Sequence, residues 1–245
     1  MDIYGLVGYP LTQSFSQKYF TQKFVNENIQ AQYLNFSIES IDEFPEIIEN
    51  QIIKGLNVTI PYKEKVLPFI HHLDETAQKV GAVNVVKITY QKNKARLIGY
   101  NSDVYGFELS LKKYLKPNHT RALVLGTGGA AKAVVYVLKK LGIDFKTVSR
   151  KAGRGDFVYQ KLTHNNIADA PLLINTTPLG MFPLINTFPE LPYEAVSSAH
   201  LAFDLIYNPE ETQFMKKCAQ QGAVAVNGYE MLVNQAEKAW EIWNS

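Results

Sequence analysis

The chain has 245 residues, 46% of them hydrophobic and 20% charged, which is typical of a globular protein with a buried core. Its 25 basic and 23 acidic residues leave a formal charge of +2, too weak a bias to predict nucleic acid or an anionic membrane as a partner. The single cysteine, Cys218, excludes an internal disulfide and suits a reducing cytoplasm, and no Cys/His spacing predicts a metal site. We expect no signal peptide and no membrane span, because no apolar run approaches the roughly 20 residues that cross a bilayer.

The first hundred residues alternate short apolar runs with helical patterns. Phe20 and Phe24 recur four residues apart in an amphipathic helix predicted at 17–28. Ser40 and Glu43 form a capping-box pattern, which predicts a helix running towards residue 51. Further helices are predicted at 63–70 and 74–80. The predicted strands are 3–7, 33–37, 56–60, 83–89 and 95–100, the last two joined by a polar turn at 91–94.

The same alternation restarts in the second half of the chain. A helix predicted at 104–116 ends before Pro117, and one predicted at 130–141 is followed by Gly142 as its cap. Strands are predicted at 122–125, 145–149, 172–174, 201–204 and 223–226, and a last helix at 228–243. This order predicts an α/β fold, with a mixed, mostly parallel sheet in the first domain and a Rossmann-like second domain. We place the domains at 1–101 and 102–227, with the C-terminal segment 228–245 returning to complete the first.

A glycine-rich turn follows the strand at 122–125 and opens the next helix. Glycines in this position allow a tight turn and let backbone N–H groups approach a pyrophosphate at the helix N-terminus. The alternative is an ordinary strand-to-helix turn, but the strand, helix and second strand in succession favour a dinucleotide site. The residues of this predicted site are Gly126, Thr127, Gly128, Gly129 and Ala130.

The end of the following strand indicates which dinucleotide binds. Enzymes that use NAD usually place an acidic residue there to hold the ribose 2′-hydroxyl. Here Ser149 is followed by Arg150, Lys151 and Arg154, and no carboxylate occurs before Asp156. Guanidinium and ammonium groups suit a 2′-phosphate, so the loop predicts NADP(H) rather than NAD, with a merely solvated basic loop as the alternative.

Polar side chains cluster at the ends of the elements predicted in the first half. Ser14 and Ser16 are two residues apart, so in an extended segment both hydroxyls face the same side. Asn57 and Thr59 share a strand face for the same reason, and Lys63 follows closely. Such groups suit a small polyhydroxylated carboxylate. The alternative is that the serines cap a helix and that Lys63 is solvated.

Three further polar residues extend this set in the same half of the chain. Asn84 follows a Gly-Ala-Val segment, and Asn101 and Asp103 follow a Gly-Tyr pair. Amides and a carboxylate also suit a polyhydroxylated ligand, although Asp103 can instead cap the helix that follows it.

Seven blocks of sequence, in this order along the chain, resemble the shikimate dehydrogenase family. The block at 55–63, Gly-Leu-Asn-Val-Thr-Ile-Pro-Tyr-Lys, is similar to the family motif G-x-N-V-T-x-P-x-K. The other blocks lie at 8–16, 81–84, 99–106, 175–181, 204–209 and 228–236. Gln13 and Gln17 stand where the family often has histidine and proline, and Ser-Arg-Lys at 149–151 replaces the more usual Asn-Arg-Thr. These departures keep both serines and the positive charge.

The resemblance implies a role for each matching residue. Lys63 and Asp103 would form the catalytic pair at the reacting oxygen of the substrate. Ser14 and Ser16 would face the substrate carboxylate. The remaining substrate-binding residues would be Thr59, Asn84, Gln235 and, nearby, Tyr207. Beside the glycine turn and the basic loop, the cofactor-binding residues would include Thr177, Leu205 and Gly228 at the nicotinamide end, and Glu75.

The resemblance implies an oxidoreductase that uses NADPH to reduce 3-dehydroshikimate reversibly to shikimate, in aromatic amino acid biosynthesis. It also implies a cytoplasmic monomer or homodimer that acts without a metal ion. Two enzymatic alternatives are a quinate/shikimate dehydrogenase with broader substrate and NAD use, and a lysine-dependent, folate-type NADP dehydrogenase. A third alternative is a non-catalytic NADPH-binding regulator, which would need neither Lys63 nor Asp103.

Overall fold

A computed structural model of the protein describes residues 1–11, 14–92 and 94–245, which form two compact units. The first unit combines residues 1–102 with 236–245, and the second unit comprises residues 103–235. The C-terminal helix is therefore shared between the units, whereas the sequence led us to expect all of 228–245 in the first. Among the described residues, no helix is both long and apolar enough to span a membrane.

The first unit is built on a mixed six-stranded sheet in the order β2-β1-β3-β5-β6-β4. Its strands are β1 (Asp2–Gly8), β2 (Ala31–Ser37), β3 (Gly55–Val58), β4 (His72–Leu73), β5 (Val85–Gln91) and β6 (Lys94–Tyr100). Strand β1 runs parallel to both of its neighbours, and β4 runs parallel to β6. Strand β5 is antiparallel to β3 and β6, which confirms the predicted strand pair. The turn predicted at 91–94 includes Asn93, which lies outside the described residues.

Three helices and the end of a fourth pack on this sheet: α1 (Phe15–Asn26), α2 (Phe44–Asn50), α3 (Glu75–Val80) and the last turns of α8 (Tyr229–Asn244). The capping box of Ser40 and Glu43 is confirmed, although the chain first makes a short 3-10 turn before α2. Tyr4 packs with Phe20 and Trp243 in an aromatic cluster on one side of β1. The Trp243 indole donates to the Val86 carbonyl oxygen at 3.2 Å, which fastens α8 to β5.

Two of the elements predicted in the first unit are wrong. Strand β3 ends at Val58 instead of residue 60, because the chain turns at Thr59, whose carbonyl oxygen accepts from the Tyr62 N–H at 2.8 Å. The helix predicted at 63–70 is replaced by turns, a 3-10 turn at Leu67–Phe69 and β4. Pro68 lies within that segment, and a proline lacks the N–H that an α-helix interior requires.

The second unit is built on a six-stranded sheet that is parallel throughout its described pairs, in the order β12-β11-β10-β7-β8-β9. Its strands are β7 (Arg121–Leu125), β8 (Asp144–Ser149), β9 (Phe157–Val158), β10 (Leu172–Asn175), β11 (Leu201–Asp204) and β12 (Val224–Val226). Counted within this unit, the order is 3-2-1-4-5-6 read from the opposite edge, which is the order of dinucleotide-binding sheets. The α/β fold class predicted from the sequence is therefore confirmed. The strand order reverses between β7 and β10, and ligands of such sheets bind at the carboxyl ends of the strands there.

The helices of the second unit are α4 (Ser102–Lys112, whose first residue belongs to the first unit), α5 (Gly129–Lys140), α6 (His164–Ala168), α7 (Gln213–Gln220) and the start of α8. Helix α4 ends at Lys112, four residues earlier than predicted, where the Tyr114 N–H donates to the Leu111 carbonyl oxygen at 3.0 Å in a tighter turn. Helix α5 ends as predicted, and Gly142 follows it with a φ of +68°. The sequence did not predict β9, α6 or α7, two of which have five residues or fewer.

Candidate active site

The glycine turn between β7 and α5 has the geometry that a phosphate cradle needs. Gly126 adopts a φ of +114°, and a Cβ there would lie 2.5 Å from the Thr176 Oγ1 atom. Its N–H donates to the Val148 carbonyl oxygen at 2.8 Å, which ties the turn to β8. Gly128 precedes the first residue of α5, and no atom lies within 4 Å of the position where its Cβ would be. The N-terminus of a 12-residue helix therefore faces open space, where it can accept an anionic pyrophosphate.

The cradle lies at the point where the strand order of the second unit reverses. The Thr176 N–H and hydroxyl both donate to the Leu125 carbonyl oxygen, at 2.9 Å and 2.7 Å. The loop after β10 is thus fastened beside the glycine turn. Thr127 is exposed in the turn itself, and Gly129 and Ala130 form the first turn of α5. The structure therefore brings the predicted pyrophosphate-binding residues together with the loop that carries Thr177.

The loop after β8 presents cations without a competing carboxylate. Arg150, Lys151 and Arg154 are exposed, while Ser149 is buried and its hydroxyl accepts from the Lys151 N–H at 3.2 Å. The first acidic residue, Asp156, accepts instead from the Thr147 N–H at 2.8 Å.

The carboxylate of Asp156 also forms an ion pair with Lys146. Burial alone would raise the pKa of Asp156, but hydrogen bonds from Thr147 and an ion pair with Lys146 hold it below its ordinary value. An ionised carboxylate bound in this way is not positioned to hold a ribose 2′-hydroxyl at the loop tip. The residues present therefore fit the 2′-phosphate of NADP better than the 2′-hydroxyl of NAD.

The predicted nicotinamide-end residues lie on the three loops that follow β10, β11 and β12. The Thr177 N–H and hydroxyl donate to Asn175 Oδ1 at 3.0 Å and 2.7 Å. Leu205 donates its N–H to the Asn175 carbonyl oxygen at 3.0 Å. A side chain at Gly228 would collide with the Leu205 backbone, so a glycine is required for this close approach. The structure thus brings Thr177, Leu205 and Gly228 into one connected set.

Sequence reasoning missed the group on which these loops converge. Asn175 is fully buried and donates from Nδ2 to the Asp204 Oδ1 atom at 3.0 Å, and Asp204 is also fully buried. The signal that could have found them is positional. Asn175 and Asp204 are the last residues of adjacent parallel strands, at the sheet edge where ligands of this fold bind.

The expectation that Ser14 and Ser16 project from one side of an extended segment is wrong. Ser14 caps α1, and its hydroxyl accepts from the Gln17 N–H at 3.1 Å. Ser16 lies in the first turn of α1 and forms a hydrogen bond with the Tyr33 hydroxyl. Gln13, which was singled out in the same segment, lies outside the described residues. The capping alternative thus holds for Ser14, and because its hydroxyl oxygen accepts in the cap, its O–H group can still donate to another partner.

A buried hydrogen-bond chain that the sequence did not reveal extends from Ser16 across the first unit. The Tyr33 hydroxyl donates to Asn57 Oδ1 at 2.6 Å, and Asn57 Nδ2 donates to the Asn84 carbonyl oxygen at 3.4 Å. Burial raises the pKa of Tyr33 well above its ordinary value, while the hydrogen bond with Ser16 acts in the opposite direction. Hydrogen bonds thus link Ser16 to Tyr33 on β2, and Tyr33 to Asn57 on β3.

Val83 and Asn84, just before β5, form hydrogen bonds to Lys63 and to Ser102, the residue that precedes Asp103. The Val83 N–H donates to the Lys63 carbonyl oxygen at 2.8 Å. Asn84 accepts from the Ser102 N–H at 2.7 Å and donates to the Ser102 hydroxyl at 3.0 Å. Asp103, a buried residue, directly follows Ser102 in the chain. The backbones that carry Lys63 and Asp103 are thus both fixed by the segment that contains Asn84.

For the other predicted site residues, the structure gives the burial of each side chain and, for two of them, the direction of the pKa shift. Thr59 is half-buried in the turn after β3, and Gln235 is half-buried in α8. Tyr207 follows β11, and burial raises the pKa of its hydroxyl. Glu75 is exposed on α3, where a hydrogen bond from Lys79 lowers its pKa. Within the described residues, no group of three or more His, Cys, Asp and Glu side chains could hold a metal ion.

Comparisons with known proteins agree with this arrangement. Residues 6–86 match the family model described as the shikimate dehydrogenase substrate binding domain. The chain is 35% identical to a shikimate dehydrogenase (NADP(+)) of Methanosphaera stadtmanae, over 98% of this chain and 90% of the relative. It is 37% identical to one of Clostridium beijerinckii, over 99% of this chain and 92% of the relative.

A solved structure agrees with the sequence relatives. The structure of shikimate 5-dehydrogenase from Thermus thermophilus, in complex with NADP(H) and shikimate, aligns with a TM-score of 0.86 and 28% identity, over 99% of this chain and 93% of the other. Fold, strand order, phosphate cradle and sequence likeness over nearly the whole length lead to one conclusion. The chain belongs to the shikimate dehydrogenase family.

Proposed function

We propose that the protein is an NADP-dependent shikimate dehydrogenase, an oxidoreductase that interconverts 3-dehydroshikimate and shikimate in aromatic amino acid biosynthesis. The observation that carries this proposal is the open cradle at Gly126 and Gly128, followed by the basic loop after Ser149, in a chain of this family. Relatives over nearly the whole length bear the name shikimate dehydrogenase (NADP(+)), which supports the assignment of both substrate and coenzyme.

The coenzyme is held at three places along the second unit. The backbone of 126–130 binds the pyrophosphate, and Arg150, Lys151 and Arg154 receive the 2′-phosphate. Thr177, Leu205 and Gly228 contact the nicotinamide end. When bound there, NADP supplies or accepts the hydride of the reaction. Glu75 remains a predicted cofactor contact, and its pairing with Lys79 neither requires nor excludes that role.

The substrate is bound by hydroxyl and amide groups. Ser14 and Ser16 face its carboxylate, because each hydroxyl can donate its single proton to an anionic oxygen. In the structure Tyr33 donates to Asn57, so the Ser16 proton lies towards Tyr33; when the substrate binds, that proton turns to the carboxylate and the Tyr33 hydroxyl donates to Ser16 instead. Thr59, Asn84 and Gln235 hold the ring substituents, with Tyr207 nearby. The network of Tyr33 and Asn57 limits the positions that Ser16 can adopt, which reduces the entropy lost when the substrate binds.

Lys63 moves the proton of the reaction. During reduction, negative charge grows on the substrate carbonyl oxygen, and the Lys63 ammonium donates a proton to it. Asp103 orients this ammonium by charge attraction. In the oxidative direction the same lysine, in its neutral form, accepts the hydroxyl proton. General acid–base catalysis of this kind contributes about 100- to 10,000-fold, and no metal is assigned because the lysine supplies both charge and proton.

Replacement of Lys63 tests this role directly. Lys63→Ala is expected to lower kcat for shikimate oxidation by about 100- to 10,000-fold, because the proton acceptor is lost while the fold persists. Lys65→Ala is the matched control, since Lys65 is an exposed lysine two residues away. A rise in KM at unchanged kcat in Lys63→Ala would show that Lys63 only binds the substrate. Asp103→Asn is expected to lower activity far more than thermal stability, and a variant that unfolds would favour the capping alternative.

Three alternatives are separated by substrate and coenzyme. A broader quinate/shikimate dehydrogenase would turn over quinate or use NAD, and the commitment of Asp156 to Thr147 disfavours NAD. A folate-type dehydrogenase would not need the serines at the start of α1. A non-catalytic NADPH-binding regulator would bind the coenzyme without turning over shikimate. We further propose a cytoplasmic location, which suits the free, buried Cys218, and a monomer or homodimer as the active form.

A further inference from the structure

A buried carboxylate lies beneath the two loops that carry Thr177 and Leu205. Asp204 is the last residue of β11, and its exposed fraction is 0%. Its Oδ1 atom accepts from the Asn175 Nδ2 atom and from the Ile206 N–H, each at 3.0 Å. Its Oδ2 atom accepts from the Thr212 hydroxyl at 2.6 Å. Three donors thus converge on one carboxylate inside the second unit.

The two oxygens of Asp204 serve different parts of the structure. The Oδ1 atom leads through Asn175 to Thr177, whose N–H and hydroxyl both donate to Asn175 Oδ1. The Oδ2 atom leads to Thr212, the N-cap of α7, whose hydroxyl in turn accepts from the Met215 N–H. One branch therefore reaches a predicted coenzyme contact, and the other reaches only the start of a helix.

The carboxylate determines which way the Asn175 amide points. An ionised carboxylate only accepts hydrogen bonds, so it holds the NH2 group of Asn175 and turns the amide oxygen towards the two donors of Thr177. The NH2 group also donates to the Leu179 carbonyl oxygen, at the longer distance of 3.4 Å. Without the carboxylate, that long hydrogen bond is the one described acceptor left for the NH2 group, and the amide can rotate by half a turn. Its NH2 group would then face the N–H and hydroxyl of Thr177, and neither of these donors would have an acceptor there.

We propose that Asp204 is a positioning residue for the coenzyme: through Asn175 it fixes Thr177, and through the Ile206 N–H it fixes the loop of Leu205. The nicotinamide end then meets two loops that are already in place, which favours hydride transfer because small displacements of reacting groups slow a reaction strongly. This role presupposes the proposed function. Asp204 itself touches neither coenzyme nor substrate in this role, and acts through Asn175 and Ile206.

Burial of this carboxylate has a cost that varies with pH. Burial raises the pKa of Asp204 from 3.8 to about 7, against the opposing effect of its three hydrogen bonds. Because the folded-state pKa of Asp204 lies above the unfolded one, the contribution of this carboxyl group to stability is greatest below pH 3.8 and is lost as pH rises from there through about 7. The neighbouring Cys218 and Tyr193 stay neutral over this range, since burial raises the pKa of both. A purely structural contact between β10 and β11 would need no charged group here.

The two branches provide a matched pair of variants. Asn175→Leu removes the branch to Thr177, and Thr212→Val removes the branch to α7, each with little change of side-chain shape. Asn175→Leu is expected to lower kcat about 10- to 100-fold and to raise the isotope effect on kcat with shikimate deuterated at the carbon that gives up hydride. Thr212→Val is expected to lower the melting temperature while kcat stays within about twofold of the unsubstituted protein.

Amide hydrogen exchange provides a readout that does not depend on turnover. The Thr177 amide is expected to exchange faster in Asn175→Leu, because its acceptor is lost, and unchanged in Thr212→Val. Should Asn175→Leu fail to fold, Thr177→Val removes only the hydroxyl donor of the same branch and is expected to show the same changes in kcat and isotope effect, to a smaller extent. Asp204→Asn no longer only accepts, so Asn175 can rotate; this variant is expected to lower kcat and to speed exchange at Thr177 in the same direction as Asn175→Leu, to a smaller extent, and its stability is expected to vary less with pH between about 4 and 7.

Two outcomes would overturn the inference. One is that the Asn175 and Thr212 variants show equal kcat and equal isotope effects. The other is that exchange at Thr177 does not differ between them. Failure of the proposed function is a separate result, in which the unsubstituted protein itself does not oxidise shikimate with NADP+. In that case hydrogen exchange at Thr177 in Asn175→Leu and Thr212→Val still decides whether the branch through Asn175 fixes the Thr177 loop, and exchange in Asp204→Asn decides whether Asp204 acts through that branch.

Discussion

The hydrogen-bond chain from Ser16 through Tyr33 to Asn57 gives a prediction whose size follows from the structure. Tyr33→Phe removes one hydroxyl and no other atom from a buried position on β2. The Asn57 Oδ1 atom then loses the donor at 2.6 Å, and Ser16 loses its hydrogen-bond partner. The substitution therefore perturbs both the stability of the first unit and the arrangement of a predicted substrate-binding hydroxyl.

The expected loss of stability is that of a buried acceptor left without its donor. Such a loss costs about 1–3 kcal/mol. For a chain of 245 residues, each kcal/mol lowers the melting temperature by about 2–4 °C, so a decrease of about 2–12 °C is expected. Loss of one orienting hydrogen bond at Ser16, about 0.5–1.5 kcal/mol, corresponds to a rise in KM for shikimate of about two- to tenfold.

The assay compares steady-state kinetics and thermal unfolding of Tyr33→Phe with those of Tyr90→Phe. Tyr90 is a matched control in the same unit, because its hydroxyl accepts from the Ile53 N–H at 3.0 Å and contacts no predicted site residue among its described hydrogen bonds. Tyr90→Phe is expected to lose stability without a change in KM for shikimate. In neither variant should KM for NADP+ change, since the coenzyme residues lie in the second unit except for Glu75.

Two results would refute this reasoning. An unchanged melting temperature in Tyr33→Phe would mean that Asn57 has another donor for its amide oxygen. An equal rise in KM for shikimate in both tyrosine variants would mean that the effect reflects general destabilisation and not the position of Ser16.

Three further predictions concern the second unit. Arg150→Ala is expected to lower kcat/KM for NADP+ by about 10- to 100-fold, the loss of one charged hydrogen bond, with kcat/KM for NAD+ unchanged; an equal loss for both coenzymes would exclude a 2′-phosphate contact. Gly126→Ala should destabilise the protein by about 1–3 kcal/mol in urea unfolding, because of its positive φ and the contact with Thr176, whereas Gly128→Ala should cost less than about 1 kcal/mol. Burial lowers the pKa of His119 below 6.5, so the unfolded chain binds more protons and stability should fall as pH drops below 6.5; a His119→Asn variant with the same pH dependence would contradict this.

The elements predicted best from the sequence are those whose ends are marked by residues with special backbone geometry, such as glycine. The glycines after β7 and Gly142 after α5 mark both ends of a helix, and both positions require backbone geometry that glycine adopts readily. The NADP preference could also be predicted, because charge type and order along a loop are local properties. The structure adds that Asp156 is committed to Thr147, which only the folded chain reveals.

The parts that could not be predicted depend on contacts between distant residues. Alternation along an extended segment was assumed for Ser14 and Ser16, but α1 begins between them. The Asn175 to Asp204 hydrogen bond joins residues 29 apart in sequence, and no local pattern specifies such a pair. Short elements such as α6, with five residues, bury too little surface to produce a periodic signal.

The most direct test of the proposed function is the initial rate of NADPH formation from NADP+ and shikimate by the purified protein, with quinate and NAD+ as parallel controls. We expect rapid turnover with shikimate and NADP+, and much slower turnover with NAD+, because the basic loop after Ser149 suits a 2′-phosphate. Turnover with NAD+ at a similar rate would contradict this coenzyme preference, and turnover with quinate would favour the broader quinate/shikimate dehydrogenase. No turnover with any combination would contradict the proposed dehydrogenase function and favour an NADPH-binding regulator.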